Sequence, residues 1–157
     1  MTGTAHYKRL VLELCRAFNE GKINRIDDYL TPDFADLGMS AGPDWFKSSI
    51  QALRGAFSDA RWEVLGLVGE GTTAVVRLRF SGVHTGEYMG VNPTRCAVSV
   101  EQVHLYEGRD GRLATHYSVR DDLELLRQLG VRPDTTMVGD TKPMRKKKVK
   151  VVAAQAS

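Results

Sequence analysis

The chain has 157 residues, 42% of them hydrophobic and 26% charged, enough for one domain with its own core and not for two. Its net charge of +3 comes from the end of the chain: residues 140–157 hold six of the 22 Lys and Arg and one of the 19 acids, which leaves residues 1–139 at −2. A slightly acidic body gives no reason to expect nucleic acid. No apolar run approaches the roughly 20 residues of a membrane span.

The N-terminus, Met-Thr-Gly-Thr-Ala-His, lacks the basic patch and apolar stretch of a secretory signal, so a cytoplasmic protein without membrane partners is expected. Cys15 and Cys96 stand far apart with no Cys-x-x-Cys pair, and buried free thiols are the default reading in a reducing compartment.

Leu10, Val11, Leu14, Cys15 and Phe18 have the spacing of one buried helix face over residues 5–20, and Gly21 ends that helix. Ile23, Ile26, Tyr29 and Leu30 predict a second, shorter helix stopped at Thr31-Pro32. Residues 33–42 read as loop or a short irregular strand. Pro43 suits the first turn of a third helix with Trp45, Phe46, Ile50, Leu53 and Phe57 on its apolar face.

From Arg61 the period changes to that of strands. Trp62 to Leu67, then Ala74 to Phe80, flank a turn at Gly69-Glu70-Gly71. Two longer strands, Cys96 to Tyr106 and Arg112 to Arg120, flank a turn at Gly108 to Gly111 and make a hairpin. A Leu-rich helix follows from Asp121. Helices first and a mostly antiparallel sheet after them make an α+β domain. Residues 1–133 are read as that domain and residues 134–157, with the run Met144 to Lys150, as a flexible basic tail.

Side chains alternate across a strand. Val98, Val100, Gln102, His104 and Tyr106 share one face. In the last strand Leu113, Thr115, Tyr117, Val119 and Asp121 share a face, while Ala114, His116, Ser118 and Arg120 oppose them. Apolar walls bearing a few polar groups, here Gln102 and His104, then Tyr117 and Asp121, suit a ligand pocket. Asp121-x-x-Glu124 also reads as a capping box. Asp122 is an alternative cap that would leave Asp121 free. His104 alone on an apolar strand face is more often a satisfied interior histidine than a catalyst, and His84, before Thr85-Gly86, is most simply a loop residue. No Cys/His cluster has metal spacing, and there is no phosphate loop, Gly-x-Gly-x-x-Gly or Gly-x-Ser-x-Gly elbow.

Two segments carry a resemblance. Phe80 to Thr94, F-S-G-V-H-T-G-E-Y-M-G-V-N-P-T, resembles the G-T-H-T-G-x-F-x-G-I-P-P-T-G segment of the SnoaL-like polyketide cyclases. His116 to Gly130 resembles their H-W-x-x-x-D-x-L-G-L-L-Q-Q-L-G ending. The likeness spans roughly residues 5–132. Tyr117 replaces the usual Trp, Arg95 a glycine, and Leu37-Gly38 stands where relatives often carry a polar His or Asn.

The resemblance implies a cone-shaped, nuclear-transport-factor-like α+β fold: a curved antiparallel sheet closed by three N-terminal helices around a pocket. It implies cofactor-independent, metal-free ring closure of a polyketide-like substrate by aldol chemistry. Asp121 matches the family's acid/base, and His104 and Gln102 its pocket pair. Tyr117, His84, Trp45 and Phe80 complete the expected substrate contacts. A homodimer or homotetramer is implied as well. Related chemistry (isomerisation, epoxide opening, assisted hydroxylation) and a non-catalytic binding domain with Asp121 as a helix cap are the alternatives.

Overall fold

A computed structural model describes residues 3–132; the basic tail expected from residue 134 lies outside the described residues. The chain begins with helix α1 (Thr4–Glu20), a 3-10 turn (Ile23–Asp28), strand β1 (Leu30–Asp36) and helix α2 (Pro43–Ala56). Strands β2 (Phe57–Glu70), β3 (Thr73–His84), β4 (Ala97–Arg109) and β5 (Arg112–Arg120) follow, and α3 (Asp122–Gln128) comes last. The five strands form one sheet in the order β1-β5-β4-β3-β2. β1 runs parallel to β5 and every other pair is antiparallel. This is the expected α+β cone.

Two expectations are corrected. The second helix is only a 3-10 turn, and Leu30 to Asp36, read across a helix stop and a loop or short irregular strand, is an edge strand that begins inside the expected helix. Parallel pairing with β5 overrides the local signal from Thr31-Pro32, and Pro32 is tolerated because an edge strand leaves one row of N–H groups unpaired.

The inner face of the sheet makes the core. Ala74, Val76, Leu78 and Phe80 from β3 and Val98, Val100 and Tyr106 from β4 are buried under α1 and α2. α1 contributes Tyr7, Val11, Leu14, Cys15 and Phe18. Its last turn is tied to the sheet by Asn19, whose amide donates to Trp62 O at 2.9 Å and accepts from Trp62 N–H at 2.7 Å. Gly108 is needed where α1 crosses β4, because a Cβ there would fall 1.9 Å from the Tyr7 ring. The β4–β5 turn is the two-residue pair Asp110-Gly111, with φ of 51° and 77°, as a tight hairpin demands.

Irregularities position the site. Gly108 pairs with Leu113 but Glu107 pairs with Thr115, so Ala114 is an extra residue in β5. A bulge of this kind shifts side-chain parity along the rest of the strand. Leu113 faces the core, and beyond the bulge His116, Ser118 and Arg120 share the inner face with Tyr106, His104 and Gln102, their cross-strand partners. The uninterrupted alternation expected of β5 is therefore corrected from Thr115 onward.

Candidate active site

α2 and the open end of the sheet enclose a cavity of about 430 Å³. Trp45, Phe46, Ile50, Leu53 and Trp62 supply apolar wall, and Asp36, Gln102, His104, His116, Ser118 and Arg120 supply most of the polar groups. This is the mixture that holds and orients an apolar ligand.

Four of those polar side chains form one buried chain of hydrogen bonds. Asp36 Oδ2 lies 2.8 Å from His116 Nδ1. His116 Nε2 lies 2.8 Å from His104 Nδ1, and His104 Nε2 lies 3.0 Å from Gln102 Oε1. All four residues are buried. Strand register brings them together: Asp36 is the parallel partner of His116 at the end of β1, and His116 is brought inward by the Ala114 bulge. Phe46 packs edge-on against His116 at 5.0 Å, and Tyr106 lies behind it at 4.8 Å.

The donors along this chain follow from its ends. With the Gln102 amide oriented so that Oε1 faces His104, His104 Nε2–H donates to it and His104 Nδ1 accepts from His116 Nε2–H. His116 Nδ1–H then donates to the Asp36 carboxylate. Burial works against the Asp36 charge. The hydrogen bond and charge of His116 and the N–H groups of Met39 and Gly38 outweigh it, holding the carboxyl below its ordinary pKa; Met39 N donates to Asp36 Oδ1 at 3.1 Å. Burial, the His116 charge and the Arg120 charge push His104 down to about 3, so this ring stays neutral at physiological pH.

The expected site residues divide. His104, Gln102, Trp45 and Tyr117 line the cavity, with Tyr117 half exposed. Phe80 is buried in the core between Phe57 and Trp62 and is not part of the lining. His84 is fully buried under the 85–96 loop, where its Nδ1 accepts from Thr94 N–H at 3.1 Å. Asp121 also falls outside the lining. Its Oδ1 accepts the Glu124 N–H at 3.0 Å as the cap of α3, and it stands exposed. Asp36, Ser49, His116, Ser118, Arg120 and Asp122 are polar cavity residues that sequence reasoning did not select as site residues. His116 lay within the motif that carried the resemblance, and Asp36 stands one residue before the Leu37-Gly38 departure.

The sequence profile of the SnoaL-like polyketide cyclases matches residues 8–129. Nogalonic acid methyl ester cyclase of Streptomyces nogalater is 34% identical over 120 residues, 73% of this chain and 90% of that protein. An aklanonic acid methyl ester cyclase of Streptomyces galilaeus is 32% identical over 126 residues, 76% of this chain and 88% of that one. Among solved structures, TsrD of Streptomyces laurentii superposes with a TM-score of 0.75 at 29% identity, covering 80% of this chain and 96% of TsrD. The chain belongs to the SnoaL-like polyketide cyclase family, a family of enzymes.

Proposed function

We propose that this enzyme closes a ring in a polyketide-like substrate by an intramolecular aldol reaction, with His104 as the acid/base and His116 and Asp36 as its relay. The observation that carries this reading is the unbroken hydrogen-bond chain from a buried carboxylate to the cavity wall.

The chain has two self-consistent proton loadings. In the loaded form described above, every N–H is directed toward a partner and His104 holds its proton on Nε2. In the unloaded form His104 keeps its proton on Nδ1 and donates it to His116 Nε2, and its Nε2 lone pair serves the cavity once the Gln102 amide, whose oxygen lies 3.0 Å away, turns aside. A carbon next to a carbonyl gives its proton to that lone pair and becomes an enolate. His104 passes its Nδ1 proton to His116 as it gains the other, so the positive charge forms on His116, beside the Asp36 carboxylate. A ring that is hard to charge by itself thus acts as a base because the charge moves one residue away.

The enolate carbon then bonds to a second carbonyl carbon of the same molecule. The new alkoxide takes the proton back from His104 Nε2, and the relay returns to its starting state. No atom is gained or lost overall. The Gln102 amide and the Ser118 hydroxyl on the same wall are donors for the developing oxyanion. Trp45, Phe46, Ile50 and Leu53 exclude water and fold the substrate so that its reacting carbons meet.

Asp121, the acid/base position implied by the resemblance, is engaged in capping α3, and the relay reading needs no second base. Incubation of aklanonic acid and of its methyl ester with the enzyme tests the reading. A cyclised product is expected from at least one of them, and its formation should disappear in His104→Gln. Ring closure by His104→Gln at the wild-type rate refutes the assignment.

The outer face of the sheet supports a second proposal, assembly as a homodimer. Val68, Val75 and Leu105 lie in register across three strands, and Val68 is 65% exposed. Arg77 is already paired with Glu101 in two bonds of 2.8 and 3.0 Å. The charges therefore flank the apolar row as internal ion pairs, and the row itself is the self-complementary element.

A further inference from the structure

β5 brings to the cavity a guanidinium that ring closure does not use. Arg120 lines the cavity beside Gln102, its cross-strand partner, and its charge is among those acting on His104. The side chain is 35% exposed, and one Nη2 donates to Asp122 Oδ2 at 3.1 Å. A guanidinium has five N–H donors, and among the described residues Asp122 is its only hydrogen-bond partner. Asp122, the first residue of α3, also lines the cavity, so the ion pair keeps Arg120 on the cavity wall.

We propose that Arg120 is a subsite for a carboxylate of the substrate, so that this enzyme takes a polyketide-like free acid in preference to its neutral ester. The inference rests on the reading of the cavity as the substrate site and adds the ionic character of the substrate. The planar fork of a guanidinium matches a carboxylate in two parallel bonds, and the apolar wall receives the rest of the molecule. Strand geometry sets the distance. The Gln102–Arg120 pair lies two residues from the His104–Ser118 pair, about 7 Å along the sheet. A carboxylate on Arg120 therefore presents to His104 a carbon several bonds away and not the one next to the carboxyl group. The cyclases of Streptomyces nogalater and Streptomyces galilaeus are named for methyl esters, so the proposal separates this chain from them in substrate charge.

Trp45 and Trp62, the two tryptophans of the chain, both line the cavity, so their fluorescence reports its occupancy. Anthraquinone-2-carboxylate and its methyl ester are suitable probes. In the wild type the acid should quench at a concentration at least about tenfold lower than the ester, and added salt should narrow the gap. Arg120→Gln should bring the acid down to the affinity of the ester, with thermal melting to confirm that the variant is folded. Asp122→Asn, which frees the guanidinium, should strengthen acid binding. Equal quenching by acid and ester in the wild type, or discrimination that survives Arg120→Gln, overturns the carboxylate subsite and leaves the cavity reading standing. If neither compound quenches, the cavity reading falls and the subsite with it.

Discussion

His104 is held neutral in the fold, and that makes stability acid-sensitive by an amount that can be worked out. An unfolded histidine titrates near 6.5, and in the fold the value is about 3. Between those limits the unfolded chain binds one more proton than the folded chain, so stability falls as pH drops below about 6.5 and keeps falling to about 3. At pH 5 the loss depends on the unfolded value alone, about 1.5 pK units or roughly 2 kcal/mol. For a domain of this size that is about 6–10 °C in Tm. Asp36 has the depressed carboxylate sign: its contribution is present above about 3.9 and is lost as pH falls through its lower folded value. The window from pH 7 to 5 therefore excludes Asp36, and comparison with His104→Gln isolates this histidine among the four of the chain. Urea unfolding at pH 7, 6 and 5 should show the wild type losing about 2 kcal/mol more than His104→Gln across that range. Parallel pH profiles for the two proteins would show that His104 is not held neutral and would remove the basis of the relay.

Asp36→Asn removes the charge that stabilises a proton on His116, and it should lower kcat by about 10²–10⁴ at a stability cost of about 1–3 kcal/mol; unchanged kcat refutes the relay. Asp121→Asn keeps an oxygen for the Glu124 N–H, so turnover should stay within a few-fold of wild type and stability within about 1 kcal/mol. A folded but inactive Asp121→Asn enzyme would return the acid/base role to that residue. Light scattering should give the mass of two 17.4 kDa chains, and Val68→Asp should shift it toward one; a wild-type monomer at micromolar concentration, or a dimer indifferent to Val68→Asp, refutes the sheet-face assembly.

Much of the fold was legible because each major element carried its own local signal. The apolar face of α1, Pro43 at the start of α2 and the alternation of β3 and β4 are short-range patterns that lie where the pattern put them, and the turn expected over Gly108 to Gly111 tightens to Asp110-Gly111. Half of the buried hydrogen-bond chain was legible for the same reason: Gln102 and His104 sit two apart on a regular strand, so their shared face followed from parity. The other half depends on two features without a local signature. The bulge at Ala114 is set by how β5 pairs with β4, and one extra residue sends His116 inward, overturning the expected alternation. Asp36 joins the site because β1 pairs in parallel with β5 across 80 residues of chain, a contact whose hydrophobic pattern is masked by Thr31-Pro32. Asp121 shows the converse. Asp-x-x-Glu has a local meaning as a helix cap, and the structure uses it in that way. A polar residue whose neighbours already account for it is a weak site candidate. His116 and Asp36, buried beside each other, are accounted for by one another, by His104 and by the cavity they face.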